Sequence, residues 1–416
     1  MYDPYALFEK IVLPNGLTVY HQYWDRPWQK IEVIVHSGSR EDPTARPGTA
    51  HFVEHCVSNN VDERPMEMIR DFFRNTGGGV MLGSTSYLAT LYGFNIPSER
   101  KLLQTSLEIF GKMLTQGTFQ KRVEEERRII VQEYNQIHPF KQAVNWDMEH
   151  WQELFRGHRL EITHEPLGTL ASLNEIKQSD LIEYYNTHYV PANMSIIALG
   201  GVDVNTIIEE LRASPFGNEK PGRRNPIPPP FKNLVKPTKP GFKISYADIT
   251  NLAIDQAIYT AYWAIPGDVS LDALHLASEM ISYHLRQEIR EKLQGSYDCS
   301  CQYVSYQDVY SMSIQGRVAP NLTTEMDERV MECMRKARED EALFQNLNDR
   351  SLKSIPMTDI SGKRLLRNCA HDLRELHLIE SMQTMVSRRE ALKFEQVQSL
   401  IDSFTPDWRF TTIMSP

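Results

Sequence analysis

Residues 216–242 constrain the fold of this chain more than any other stretch. They read FGNEKPGRRNPIPPPFKNLVKPTKPGF, rich in proline, glycine and basic residues. Proline lacks the backbone N–H that helices and sheet interiors need, and this composition is typical of an extended linker. The chain has 416 residues, which exceeds the usual size of one hydrophobic core. We therefore predict two domains, residues 1–215 and 243–416, joined by a linker at 216–242.

The two predicted domains follow similar plans. Each begins with strands, LTVYHQYW and KIEVIVHSG in the first half and NLAIDQAIYTAYWAI in the second. A turn and a helix come next, followed by hairpin-like strands, STSYLATLYGFNI or SYDCSCQYVSYQDVYSMSIQG, and then long helices. This order is typical of α+β domains with antiparallel sheets. We predict an α+β fold of two related domains, each an antiparallel sheet packed against helices.

A five-residue motif, HFVEH, carries the clearest chemical signal. His51 and His55 are four residues apart, so on a helix they lie on one face, one turn from each other. Two imidazoles placed in this way can bind one zinc ion. Glu54 directly precedes His55 and is placed to accept a proton from water activated by such a metal. The motif alone leaves a second interpretation open, an ordinary helix with polar residues on one face.

A catalytic zinc site with two histidines needs a third protein ligand. The helical stretch at 122–136, RVEEERRIIVQEYNQ, contains the best candidates. Glu126 and Glu133 are seven residues apart and share a helix face. We interpret Glu124 and Glu125 as part of a solvated charge run. Spacing alone leaves Glu133 either a ligand or a structural side chain of a partly buried helix.

Charge and composition argue against several other classes of protein. The formal net charge of −9 argues against nucleic-acid binding, which needs a basic surface. No run of about 18 apolar residues predicts a membrane span, so we expect no membrane partner. The N-terminal segment resembles neither a secretory signal nor a transit sequence, and we expect a cytoplasmic protein. The five cysteines contain no CxxC pair and are expected to be reduced.

In combination, the motifs resemble one protein family. They are SGSREDPTARPGTAHFVEHC, GGGVMLGSTSYLATLY, ERRIIVQE and HEPLGTLASLNEIKQSDLIEYYNTHYVPANMSIIALGGVD, and they cover nearly all of the first predicted domain. Their order is similar to that of the pitrilysin/insulinase family of zinc metallopeptidases, the inverzincins, with HxxEH and a downstream glutamate ligand. The two-domain size is similar to the branch that contains mitochondrial processing peptidase and its bacterial relatives.

The resemblance assigns roles to the residues of these motifs. It implies Zn²⁺ as the cofactor, with His51 and His55 as ligands and Glu133 as the third. It also implies that Glu54 is the catalytic base. Glu126 matches a glutamate that supports the site without binding the metal directly.

A pair of residues in the second domain extends the resemblance. Arg290 and Tyr297 are seven residues apart in REKLQGSY. In the family, an arginine and a tyrosine at this spacing reach the active site from a different domain, where they bind substrate and stabilise the developing oxyanion. From the residues alone, the alternative is a helix C-terminal cation and a half-buried strand aromatic.

Leu82 and Gly83 depart from the family pattern. Relatives usually carry Asn-Ala in the strand after the glycine-rich turn, where the asparagine helps to hold the substrate backbone. The exchange alters the lining of the cleft and affects substrate preference, but it removes no zinc ligand.

The resemblance implies a zinc-dependent metalloendopeptidase that hydrolyses peptides or unfolded segments in an enclosed chamber. We expect the stretch STSYLATLY to pair with an extended substrate as an added β-strand. The alternative is a non-catalytic or regulatory subunit of the same fold, in a heterodimeric peptidase or a scaffold. Such relatives typically lose their zinc residues, whereas this chain keeps them.

The expected assembly follows from the number of domains. Full-length relatives fuse four such domains into a clam-shell, in which the zinc of one half faces the Arg/Tyr pair of the other. This chain has two predicted domains and carries both features. We therefore expect a homodimer in which the Arg290/Tyr297 pair of each chain completes the site of the other. A heterodimer with a degenerate homologue is the alternative.

Overall fold

Two β-sheets, one in each half of the sequence, organise the structure. The computed structural model describes residues 2–58, 66–117, 119, 122–138, 141–245, 255–292, 299–355 and 361–416. For residues 141–147 and 290–292 it describes the backbone alone.

Six strands form the first sheet: β1 (Glu9–Val12), β2 (Thr18–Tyr23), β3 (Trp28–Val35), β4 (Gly79–Thr85), β5 (Thr90–Pro97) and β6 (Met194–Gly200). Their order is β1-β2-β6-β3-β5-β4, and all neighbours are antiparallel except β2 and β6. Along β3, the buried Ile31 and Val33 alternate with the half-buried Lys30 and Glu32. This period of two gives a strand one face toward the core.

Five strands form the second sheet: β7 (Gly241–Ser245), β8 (Ala257–Pro266), β9 (Cys299–Ser305), β10 (Val309–Val318) and β11 (Arg409–Ser415). Their order is β7-β11-β8-β10-β9, and only β7 and β11 are parallel. Without β1, the first sheet has the same order of first, last, second, fourth and third strand. The prediction of an α+β fold with two related domains is therefore confirmed.

Helices cover both sheets. Those of the first half are α1 (Thr49–Val57), α2 (Met66–Asn75), α3 (Arg100–Thr115), α4 (Val123–Ile137), α5 (Lys141–Leu154), α6 (Leu160–Thr163), α7 (Leu170–Glu175), α8 (Gln178–His188) and α9 (Val204–Ala213). Those of the second half are α10 (Leu271–Leu285), α11 (Thr323–Glu339), α12 (Glu341–Ser354), α13 (Gly362–Leu376), α14 (Met382–Glu390) and α15 (Phe394–Asp402), and a π-helical stretch (Arg286–Lys292) continues α10.

One helix from the second half packs against the first sheet. Leu366, Cys369 and Leu373 of α13 are buried together with Ile197 and Leu199 of β6. The contact joins the two halves on the sheet face, whereas α10, α11, α12 and α15 contribute to a separate core.

The segment between the two halves has no helix or strand from residue 218 to residue 240. It is nevertheless held against its neighbours. Arg224 donates from Nη2 to the carbonyl of Met194 at 2.7 Å, and the N–H of Phe231 donates to the carbonyl of Asp308 at 2.7 Å. The linker therefore lies along both halves. The domain limits themselves stay a prediction.

The stretch STSYLATLY, which we expect to pair with an extended substrate, forms part of a hairpin. It contains the end of β4, the turn at Ser86 and Tyr87, and the start of β5. β5 lies between β3 and β4, so it cannot accept another strand. In the described part of the chain, no strand pairs with the outer edge of β4.

Two further sequence expectations concern cysteines and membranes. All five cysteines are free and buried in the structure. Among the described residues, no helix is both long enough and apolar enough to cross a bilayer.

Candidate metal centre

The HFVEH motif lies in α1, whose first turn is fixed by an aspartate. Gly48 caps the helix with φ 96°, a left-handed conformation that glycine adopts readily. Asp42 accepts from the N–H of Gly48 at 2.6 Å and from the N–H of Ala50 at 2.7 Å. These bonds satisfy N–H groups that a helix start leaves unpaired, so α1 begins at a defined residue.

The structure brings together the three predicted metal ligands. One ligand atom from each of His51, His55 and Glu133 lies within 4.8 Å of the other two. Glu133 Oε2 is 3.8 Å from His51 Nε2 and 3.5 Å from His55 Nε2. Ligand atoms of a tetrahedral zinc lie about 3.3 Å apart, since each is about 2 Å from the metal. The side chains therefore fit a zinc ion with small adjustments.

The two histidines differ in their electrostatic surroundings. Burial, together with the charge of His55, lowers the pKa of His51 to about 3, so its imidazole is neutral. Burial also opposes the charged form of His55. The hydrogen bond with Glu126 and the charges of Glu54 and Glu133 outweigh this effect and raise the pKa of His55. The carboxylates around His55 favour positive charge there, so the cluster is suited to bind a cation.

Glu126 lies beside the cluster rather than in it. Its Oε2 is 3.2 Å from His55 Nδ1, which leaves Nε2 of that ring facing Glu133. Arg127, next on α4, stacks over the Phe52 ring at 5.2 Å and donates to the carbonyl of Ile176 at 2.7 Å. The first contact holds α4 against α1, which sets the distance between the histidines and the glutamate, and the second holds α4 against the end of α7.

Glu124 and Glu125, at the start of the same helix, are exposed. This agrees with their interpretation as a solvated charge run.

Glu54 faces the edge strand β4. Thr85 Oγ1 donates to Glu54 Oε2 at 3.0 Å, and that oxygen is 4.0 Å from His51 Nε2. Burial raises the pKa of Glu54, and the nearby His55 and the hydrogen bond from Thr85 only partly offset the effect. Sequence reasoning missed Thr85, since nothing in the spacing of the two residues, 31 positions apart, indicates contact.

Leu82 and Gly83, the two residues that differ from the family pattern, also lie near Glu54 on β4. Leu82 is buried in the first core and accepts through its carbonyl from Ser58 Oγ at 3.0 Å. A Cβ built on Gly83 would lie 2.2 Å from Glu54 Oε1, far inside contact distance. The family's alanine at this position would therefore have to displace the carboxylate in its present place.

The structure does not describe the side chains of the predicted substrate-binding pair, Arg290 and Tyr297. Tyr297 is outside the described residues, and only the backbone of Arg290 is described, within Arg286–Lys292. Their role stays a prediction.

A cavity of about 720 Å³ lies between the two halves and not at the metal ligands. Its lining includes the β4–β5 turn at Ser86 and Tyr87, the end of β9 at Ser305, and Arg374 and Glu375 of α13. This cavity and the candidate metal ligands are thus in different places, although the β4–β5 turn that lines the cavity directly follows Thr85.

Two family models match the chain. One, described as insulinase (peptidase family M16), matches residues 25–163, which include every proposed metal ligand. The other, described as the peptidase M16 inactive domain, matches residues 175–347. The chain belongs to the M16 peptidase family. The resemblance to the pitrilysin/insulinase family is thereby confirmed.

Relatives within M16 are distant and longer. The chain is 30% identical over 211 residues to mitochondrial-processing peptidase subunit beta of Caenorhabditis elegans, a match covering 50% of this chain and 44% of that protein. It is 27% identical over 206 residues to the probable zinc protease PqqL of Escherichia coli, covering 47% of this chain and 22% of that protein. The matches span less than half the length of these relatives.

The M16 fold extends over the whole chain. The crystal structure of the periplasmic protease PqqL from Escherichia coli superimposes with a TM-score of 0.81, at 16% identity, covering 98% of this chain and 47% of that one. At this identity the likeness concerns the fold alone.

Proposed function

We propose that this M16 chain is a zinc metalloendopeptidase. The observation that carries the proposal is the convergence of His51, His55 and Glu133 on one point, with ligand atoms within 4.8 Å of one another. Neutral imidazoles and a carboxylate are typical ligands of catalytic zinc, which keeps one position open. The M16 relative named as a probable zinc protease supports the choice of metal.

Glu54 is the proton acceptor in this proposal. Zinc held by the three ligands would supply Lewis-acid activation of water and of the peptide carbonyl. Glu54 accepts a proton from the attacking water and passes it to the leaving amine. Because burial raises its pKa, the Glu54 carboxylate is a stronger base than an exposed one. Glu126 orients His55 through Nδ1.

We propose that the substrate is a peptide or an unfolded segment, bound as an added strand on β4. The outer edge of β4 is unpaired among the described strands, and Glu54 lies against the same strand. An edge strand recognises its ligand through main-chain hydrogen bonds, so it requires an extended chain. We place this reaction in an enclosed chamber.

The chamber in this proposal needs a second copy of the chain. The Arg290/Tyr297 pair of each copy would serve the site of the other in a homodimer. A heterodimer with a homologous subunit is the alternative, which the relative named as subunit beta supports. The cytoplasmic location stays a prediction, since the Escherichia coli neighbour is described as periplasmic.

A second candidate function is that of a non-catalytic subunit. The match of residues 175–347 to a model described as an inactive domain favours it. That match leaves out the metal cluster, which lies within the other matched region. The two candidates differ in whether the purified protein cleaves peptides.

The test is the variant Glu54→Gln with an unbiased peptide library as substrate. Glutamine keeps the shape of the side chain but cannot accept the proton, so we expect turnover to fall by about 10²–10⁴-fold. Zinc content should remain at one equivalent per chain, measured by metal analysis. Glu125→Gln, an exposed glutamate on α4, is the matched control and should keep full activity. Near-normal turnover in Glu54→Gln would require a different base.

A further inference from the structure

The strand that we propose to receive the substrate also holds the proton acceptor. We infer that Thr85 is a positioning residue for Glu54, and that β4 orients the base through it. The inference rests on the proposed function and extends it to Thr85, which lies in the motif GGGVMLGSTSYLATLY but has no role assigned to it there.

The hydroxyl of Thr85 points at one oxygen of Glu54. Thr85 Oγ1 donates to Glu54 Oε2 at 3.0 Å. The neighbouring hydroxyl of Thr90 donates to the carbonyl of Ser37 at 3.0 Å, so its proton is engaged elsewhere. In the described part of the chain, Thr85 is the side chain that donates to the Glu54 carboxylate. Removing this donor leaves a largely buried carboxylate without its side-chain partner.

A β-bulge brings the strand backbone to the other oxygen. Between the paired residues Met81 and Ser84, Leu82 and Gly83 together face the single residue Tyr92 of β5. An extra residue of this kind bends a strand and redirects its side chains, and bulges are common beside active sites. Here Leu82 turns into the core, and Gly83 meets the carboxylate.

The constraint on residue 83 comes from the space around it rather than from its backbone conformation. Its φ lies outside the left-handed region, yet a Cβ there would lie 2.2 Å from Glu54 Oε1 and 2.5 Å from Cδ. The carboxylate therefore rests directly on the strand backbone while Thr85 fixes its orientation. The backbone of Gly83 and both the hydroxyl and the backbone N–H of Thr85 therefore define the position of the base on one strand.

Three substitutions at position 85 test the role of the hydroxyl. Thr85→Val keeps the shape and removes the donor, whereas Thr85→Ser keeps the donor. We expect kcat to fall about 10–100-fold in Thr85→Val, the usual cost of losing such an orienting partner, and to stay within about threefold in Thr85→Ser. KM and zinc content should not change. Thr85→Ala compared with Thr85→Ser isolates the hydroxyl in the same way if valine impairs folding.

Thr187→Val is the matched control, because Thr187 is exposed on α8 and lies outside both β4 and the metal cluster. It should leave kcat unchanged. Equal kcat values for threonine, serine, valine and alanine at position 85 would overturn the inference.

A measurement of peptide binding distinguishes a role of Thr85 in orienting Glu54 from a role in binding the peptide. In the Glu54→Gln background, which should bind peptides without cleaving them, Thr85→Val should leave the Kd of a substrate peptide unchanged. A tenfold weaker Kd would overturn the inference, since Thr85 would then act in peptide binding. If the proposed function is wrong, the result is different: the parent protein itself holds zinc and cleaves no peptide in the library.

Discussion

His51 and His55 occupy one face of α1, and burial keeps His51 neutral. A neutral imidazole offers a lone pair to a metal, whereas a protonated ring repels it. Buried polar groups of this kind are costly unless a partner satisfies them. On the proposed function, a bound cation would be that partner for the cluster.

Loss of one imidazole should abolish metal binding. We expect His51→Ala to purify without zinc and without peptidase activity. Zinc that binds only the folded chain stabilises it, by about 4 kcal/mol at a thousandfold excess over Kd. A chelator should therefore lower the Tm of the parent protein and leave that of His51→Ala unchanged.

His371→Ala is the control, because His371 is exposed and outside the cluster. It should keep one equivalent of zinc and its sensitivity to the chelator. A full equivalent of zinc in His51→Ala would show that the ligands are assigned wrongly.

The residues of the site were predictable to different degrees. Helical spacing alone placed His51, His55 and Glu54 on adjoining positions of one helix, and it left Glu133 open. The contact with Thr85 depends on a bulge and a hairpin 31 positions away, which no local periodicity encodes. Local patterns predict neighbours on one element, while contacts between elements depend on how the sheet is built.

At the scale of elements, α13 is one of the places where the two halves meet. Its apolar face packs on the first sheet, and Glu375 near its end accepts from Ser305 Oγ of β9 at 2.7 Å. The order of elements was predictable from the sequence, but this placement was not. The amphipathic pattern of a helix indicates that it needs an apolar partner and does not say which sheet provides it.

The carboxyl of Glu375 should make stability depend on pH. Burial raises its pKa to about 7, although the hydrogen bond from Ser305 partly offsets the effect. In the unfolded chain its pKa is near the ordinary 4.5, so the folded state binds the proton more tightly. Stability from this group is therefore present at low pH and is lost as pH rises from about 4.5 through about 7.

We expect Glu375→Gln to reduce the fall in Tm between pH 5 and pH 7.5. Asp372, whose pKa burial raises to about 6, should retain part of the same dependence. Thermal unfolding at both pH values measures the difference. Glu395→Gln, at an exposed position on α15, serves as the control and should keep the pH dependence of the parent. An unchanged dependence in Glu375→Gln would contradict a raised pKa at this position.

At the scale of the whole molecule, the two sheets repeat one strand order, and the metal cluster occurs in the first half. The second half supplies the predicted Arg290/Tyr297 pair, which lies outside the described side chains. The repeat was suggested by the order of strands and helices in the sequence. The interface between two chains was not suggested by the sequence, because an interface depends on surface shape rather than on periodicity.

A complementation experiment tests the shared site. Glu54→Gln chains are mixed with Arg290→Ala/Tyr297→Phe chains, each inactive alone. A mixed homodimer combines the intact metal half of one chain with the intact pair of the other, so it regains one working site. Random exchange at equal amounts should restore about a quarter of the sites. Confirmed subunit exchange without any return of activity would exclude sites shared between copies.

On the proposed function, the edge of β4, unpaired among the described strands, has a consequence for which proteins would be degraded. Main-chain N–H and C=O groups are nearly the same in every residue, so a strand that binds them distinguishes little between sequences. Substrate proteins differ instead in the free energy needed to expose an extended segment. A segment whose opening costs about 4 kcal/mol is exposed in roughly one molecule in a thousand. On the proposed function, the rate at which a protein is degraded would therefore report its local stability more than its sequence.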